Sequence, residues 1–292
     1  MLRQFRILRL ILREMLTRER ITRSPERAAM DIEESVEAFH AEGESMGRLR
    51  PLYHFNALAM SHLLPPEARL IDLGCGSGQY LLYLAECRPD IQIIGLDVSE
   101  RMIQLGNRSV ERGGFTGRVT LQLGDMTHFK RQVPDSVDVI SSVFSLHHLP
   151  TVSHLRRCLK EIECVASVTG CAVWLFDHVR PRHPGTAEEF PSIFTPQASP
   201  VFQQDSRNSL RAAFSFSELA GLLDENPVGP WHHTCSKLLR LYQAHWLERP
   251  TNHGHTGHAL FLKPALSRQG MQEFRQLRQI LRVPFLDRNS DA

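Results

Sequence analysis

Leu70-Ile71-Asp72-Leu73-Gly74-Cys75-Gly76-Ser77-Gly78-Gln79-Tyr80 is the stretch that decides how this chain folds. A short apolar run ends in three alternating glycines and continues into Leu81-Leu82-Tyr83-Leu84-Ala85-Glu86, a run of good helix formers. The pattern is that of a buried strand, a tight turn and a helix. Gly74 and Gly76 allow a sharp turn and let the backbone approach a ligand with no Cβ in the way. The following helix N-terminus offers unpaired N–H groups.

The same rhythm continues outward. Residues 93–96, 119–123, 137–142 and 172–176 read as further strands, separated by helices at 99–112, capped by Ser99, and at 154–165. Short apolar strands alternating with amphipathic helices predict a doubly wound α/β fold, its mainly parallel sheet covered on both faces. Two late strands are expected near 238–246 and 258–262, then a closing helix over 271–281. Residues 1–64 read as a helical N-terminal extension, 65–263 as the ligand-binding domain and 264–292 as a closing helix and tail. Within the second, 178–214 holds Pro181, Pro184, Pro191, Pro196 and Pro200 among phenylalanines and reads as a long loop, a lid over a substrate. Ser215-Phe216-Ser217-Glu218 is a capping box opening another helix.

Composition narrows the function classes. With 42% apolar and 23% charged residues the chain is ordinary globular material, and a net charge of +2 gives no electrostatic footprint for nucleic acid. The six cysteines are scattered without a C-x-x-C pair, as small buried hydrophobes in a reducing compartment would be. No apolar run approaches the roughly 20 residues of a membrane span. Arginines interrupt the N-terminal apolar stretch, so no secretory signal is expected and the cytoplasm is the expected location. Residues 2–20 place Phe5, Leu8, Leu12 and Met15 at helical spacing among arginines, which suits a helix packed on its own domain, a partner or a membrane surface. His253, His255 and His258 match no standard zinc spacing, and no metal is expected.

A glycine-rich turn also occurs in nicotinamide enzymes, but G-x-G-x-x-G would need glycine at position 79, which is Gln79. Asp72, just before the turn, is an awkward neighbour for a pyrophosphate and a suitable acceptor for an ammonium group. Asp97, ending the second strand, can accept from both hydroxyls of a ribose. Asp125 follows the third strand, where a dinucleotide site needs no carboxylate.

In this order the motifs resemble those of the class I S-adenosylmethionine-dependent methyltransferases, over residues 70–176. The resemblance implies a seven-stranded, Rossmann-like sheet with its last strand antiparallel, and S-adenosyl-L-methionine as cofactor. It implies that Asp72, Gly74, Cys75, Gly76 and Gly78 hold the methionine portion, and Asp97 with Val98 the ribose. Asp125 and Met126 then meet the adenine, and Ser142 belongs to the fourth-strand motif Ser142-Val143-Phe144-Ser145-Leu146-His147-His148-Leu149. That motif resembles the L-H-H ending of many small-molecule methyltransferases. The Pro-Gly-Gly turn usual before the fifth strand is replaced by Ser167-Val168-Thr169-Gly170.

No N/D-P-P-Y segment follows the fourth strand and no cysteine lies near its end, which argues against base or glutamine methylation and favours a small organic acceptor. His147 and His148 are the candidate catalytic residues, since histidine titrates near working pH. A non-catalytic cofactor-binding partner and an NAD(P)-dependent oxidoreductase are the alternative readings.

Overall fold

A computed structural model of the chain describes residues 2–18, 20–26, 32–44, 47–134, 136–249, 261–264 and 266–287. Seven strands form one sheet: β1 (Arg69–Leu73), β2 (Gln92–Asp97), β3 (Val119–Leu123), β4 (Val139–Val143), β5 (Ala172–His178), β6 (His232–Cys235) and β7 (Tyr242–Leu247). Their order is β3-β2-β1-β4-β5-β7-β6. β1 lies parallel to both β2 and β4, with Ile71 opposite Ile94 on one side and Ile140 on the other. β2–β3 and β4–β5 are also parallel, whereas β7 runs antiparallel between β5 and β6. Strand order therefore reverses between β1 and β4, and the crevice this opens lies at their carboxyl ends.

The alternation along each strand explains the two-sided cover. Leu70, Val139, Trp174 and Phe176 point into one core, with residues of α3 (Arg50–Leu63), α4 (Gln79–Cys87), α5 (Glu100–Arg112), α10 (Arg268–Ile280) and α11 (Pro284–Asp287). Ile71, Leu73, Ile140, Val173 and Leu175 point into the other, against α6 (Val152–Thr169) and α9 (Phe216–Asp224). Side chains of period two on a doubly covered sheet must do this. Asn56 of α3 accepts a hydrogen bond from the buried Trp174 Nε1 (2.9 Å), so α3 belongs to the main core. Arg88, fully buried, donates to the carbonyls of Leu64 and Pro65 and to Asp90, fixing the passage from α3 into β1. No described helix is long and apolar enough to cross a membrane.

Three expectations change. Residues 178–214 are not a loop: they hold α7 (Pro184–Phe194) and α8 (Pro200–Ala212). Pro184 and Pro200 occupy the first turn, where no N–H is required, behind the side-chain caps His183 and Ser199. The strand expected from 238 starts at Tyr242, because the Ser236 hydroxyl accepts from Leu241 and Tyr242 N–H and donates to the Leu239 carbonyl, folding 236–241 into a turn. The remaining late strand is His232–Cys235; of 258–262 only 261 and 262 are described, and neither is in a strand. His253, His255 and His258 lie outside the described residues.

The other two helices, α1 (Leu2–Leu16) and α2 (Glu33–Gly43), pack on α7 and α8 respectively. Residues of α1, α2, α7 and α8 line one cavity with residues from the carboxyl ends of β1, β2, β4 and β5.

Candidate active site

The cavity measures about 630 Å³, within the roughly 300–1,000 Å³ range of small-molecule sites. One end is built by the glycine loop. The Leu96 carbonyl accepts from both Gly74 N–H (2.7 Å) and Cys75 N–H (2.9 Å), pulling the turn across the end of β2. Gly74 and Gly76 have φ of 73° and 54°, in the left-handed region where a side chain is strained. A Cβ on Gly74 would fall 1.6 Å from Ser145 Oγ, so this glycine lets the loop and the end of β4 touch. A Cβ on Gly76 would meet nothing nearer than Phe39 at 3.7 Å and would occupy open space beside the cavity. Asp97 braces the loop: its Oδ2 accepts from Gly76 N–H and its Oδ1 from Ser99 N–H, both at 2.8 Å.

Asp72 is buried at the floor and accepts from the Ser141 hydroxyl. Burial, helped by the charge of Asp97, pushes its carboxyl up to about 8. Beside it the Tyr80 hydroxyl is buried without a hydrogen-bond partner among the described residues, and Tyr80 also lines the cavity. Among the sequence-predicted residues, Asp72, Gly74, Cys75, Gly76, Asp97, Val98, Met126, His147 and His148 are brought together around the cavity. Gly78, Asp125 and Ser142 are not part of that lining. Gly78 is the left-handed residue that starts α4, and the buried Ser142 hydroxyl donates to the Leu73 carbonyl behind the loop. Asp125 turns its Oδ1 to the Thr127 N–H (2.7 Å) and hydroxyl (2.8 Å). Partial burial opposes its charge, but these bonds keep its carboxyl below the usual range.

The other end is aromatic. Phe144, just past β4, takes φ of 56°, a costly conformation for a large residue, and donates its N–H to the Phe176 carbonyl. Its ring lies 4.7 Å from His178 and 6.0 Å from Tyr242. Strained backbone here aims the following 3-10 turn, Leu146–His148, toward β5. Asp177 grips that turn twice: Oδ2 accepts from the His147 N–H (2.9 Å) and Oδ1 meets Nδ1 of the same ring (2.6 Å). Burial disfavours a charged His147, yet the adjoining Asp177 carboxylate holds it above the ordinary imidazole range. Asp177, though buried, is held below the ordinary carboxylate range by the same partner. His178, buried and close to His147, is pushed down to about 4 and stays neutral. His148 faces Glu26, with Nδ1 to Oε2 at 3.4 Å, and its ring lies 4.3 Å from that of His147. The ligating atoms of Glu26, His147 and His148 lie within 4.8 Å of one another.

Sequence reasoning missed the segment that ties these parts together. Arg23, from the N-terminal extension, donates to the carbonyls of His147, Leu149, Pro150 and Ala212 and stacks over Phe214 at 4.0 Å. Nothing in its neighbours Thr22 and Ser24 signals this, because an arginine that caps carbonyls far along the chain leaves no local pattern. Asp177-His178, following the fifth strand, was legible as a pair whose side chains could reach the pocket, but its grip on His147 was not. Arg23→Ala is expected to lower stability by about 2 kcal/mol in urea unfolding, since four carbonyls lose a charged donor. A change below about 0.5 kcal/mol would show that the strap contributes no more than an ordinary surface residue.

Comparison with known proteins fits this geometry. The family described as "Methyltransferase domain" matches residues 70–170, which run from β1 through α6. A demethylmenaquinone methyltransferase of Symbiobacterium thermophilum is 32% identical over 112 residues, covering 37% of this chain and 44% of the relative. A 27-O-demethylrifamycin SV methyltransferase of Amycolatopsis mediterranei is 31% identical over 101 residues, 34% of this chain and 36% of the relative. The chain thus spans less than half the length of these curated relatives. In structure, the plantazolicin methyltransferase BpumL, solved with SAH, superimposes with a TM-score of 0.55 at 14% identity. That likeness covers 86% of this chain and all of BpumL, and it speaks for the fold. Residues 70–170 thus match a methyltransferase domain, set in the β3-β2-β1-β4-β5-β7-β6 sheet.

Proposed function

We propose that the protein transfers a methyl group from S-adenosylmethionine to a small, largely apolar acceptor, and that His147 takes up the proton the acceptor loses. One observation carries this reading: the glycine loop with its two carboxylates and the aromatic end with His147, backed by Asp177, line a single cavity. The cofactor, when bound, supplies a methyl group on a sulfonium, which a nucleophile attacks directly.

The loop suits such a ligand. Gly76 leaves a cradle that a Cβ would fill, and the Tyr80 hydroxyl nearby is buried and unpartnered among the described residues. Asp72, at the floor, is a buried acid with a carboxyl raised to about 8, which an ammonium group would return to its charged form. Asp97 and Val98 would hold the ribose and Met126 the adenine. The backbone hydrogen bonds of Asp97 add a second duty, fixing the loop. Asp125, turned toward Thr127, would meet the adenine from the rim.

At the other end Phe144, His178, Phe190, Phe194 and Tyr242 give the acceptor a flat apolar berth. Because Asp177 occupies Nδ1 of His147, Nε2 is the nitrogen left to accept a proton. The carboxylate also stabilises the imidazolium that results. α7 and α8 would act as the lid, excluding water while acceptor and methyl group are aligned. The reading needs no metal, so turnover is expected to survive chelation.

Two outcomes test it. S-adenosylmethionine or S-adenosylhomocysteine at about 100 times its dissociation constant should add about 2.7 kcal/mol to unfolding, NADH should add nothing, and Asp97→Asn should weaken the effect. Stabilisation by NADH alone would overturn the cofactor assignment. The pH profile tests the base. A base must be neutral to work and His147 is held above the ordinary imidazole value. Turnover at saturating cofactor should therefore be low in acid and rise through a limb above about 6.5. Asp177→Asn should move that limb toward acid, and His147→Gln should abolish it. Unchanged turnover in His147→Gln would end the base assignment, and binding without turnover on any acceptor would leave only a cofactor-binding role.

A further inference from the structure

We propose that α1 is an interfacial helix that seats the protein on an anionic lipid surface. Phe5, Leu8, Leu12, Met15 and Leu16 are all exposed, Leu16 to 80% and Phe5 and Met15 to 66%. At 3.6 residues per turn these five side chains fall within an arc of roughly 100°. They make one stripe about 16 Å long, at 1.5 Å per residue. Five large apolar side chains side by side on a solvent-facing helix are not the scattered exposure of an ordinary surface.

The stripe is displayed because the opposite face of α1 is anchored. Leu10 is fully buried. Glu14 is buried against the start of α7, where its carboxylate accepts from the Arg182 N–H (2.8 Å), the His183 N–H (3.0 Å) and the Thr186 hydroxyl (2.6 Å). A carboxylate at a helix N-terminus is a favourable cap, and here it fixes the roll of α1. Arg6 donates to Ser192, and Arg9 and Arg13 share Glu189 of α7. Outside the stripe, the same helix lends Arg3, Gln4 and Ile7 to the cavity wall.

Charge selects the occupant. α1 carries four arginines and one acid, and that acid is the buried Glu14. Arg9 and Arg13 are set against a single carboxylate, and exposed Arg18 follows the helix end. An apolar stripe edged by arginines matches an anionic bilayer interface, with acyl chains under the stripe and phosphates at the flank. A second copy docked stripe to stripe would bring two arginine flanks together and gain no complementary acid.

The inference stands apart from the methyl-transfer reading, and its test needs no acceptor. The full chain would be mixed with vesicles of pure phosphatidylcholine, or of phosphatidylcholine with about one-third phosphatidylglycerol, and floated through a density gradient. Binding to the anionic vesicles should be at least about tenfold stronger and should fall as salt is raised. The triple variant Leu8→Ser, Leu12→Ser, Met15→Ser should keep the parent melting temperature, since these side chains are exposed, and lose vesicle binding. No flotation with anionic vesicles, equal flotation of parent and triple variant, or a dimer in solution that the triple variant dissociates would each overturn the proposal.

Discussion

A parallel strand delivers its chain at the carboxyl end with nothing to pair it onward, and β1 and β4 are neighbours whose chains leave in opposite directions. That divergence is the constraint on which the site depends. The crevice must be lined by whatever leaves the two strands. From β1 comes a turn that only left-handed residues can make, pinned by the Leu96 carbonyl and by Asp97. From β4 comes a turn aimed by a left-handed Phe144 and gripped by Asp177. Gly74 is where the two meet, since any side chain there would displace Ser145.

Two buried acids at these strand ends are handled in opposite ways. Asp177 has a histidine at 2.6 Å and two backbone N–H groups, so its charge is compensated in place and the pair is rigid. Among the described residues Asp72 has only the Ser141 hydroxyl as hydrogen-bond partner, with the negative Asp97 nearby, and burial raises its carboxyl. A buried acid with so little compensation costs stability. It is an unfinished interaction that a cationic ligand would complete, whereas the Asp177–His147 pair is already compensated.

Much of the sheet was legible in the sequence because doubly covered strands have to be continuous apolar runs. β1, β2, β3 and β5 were placed within a residue or two. Local hydrogen bonding was legible for the same kind of reason: Ser99 caps α5 and Ser215 with Glu218 forms a capping box, as their spacing required. What escaped was set at long range. α7 and α8 were read as loop because their prolines looked like breakers, and the residue that fixes the start of α7 is Glu14, far away in sequence. β6 is His-His-Thr-Cys, a half-buried edge strand with no apolar run. In the site, nine of the twelve candidate residues line the cavity. Gly78, Asp125 and Ser142 do not, since a motif gives sequence order and not the direction in which each side chain points.

The most direct measurement is calorimetric titration of the protein with S-adenosylhomocysteine at pH 7 in buffers of different ionisation enthalpy, which counts the protons exchanged on binding. With the Asp72 carboxyl near 8 in the free protein, most molecules hold a proton there at pH 7, and an ammonium bound against it would expel that proton. The expected result is release of close to one proton, with tighter binding as pH rises toward 8, and loss of both effects in Asp72→Asn. Binding with no proton release, and with an affinity that Asp72→Asn leaves unchanged, would contradict an ammonium site at Asp72.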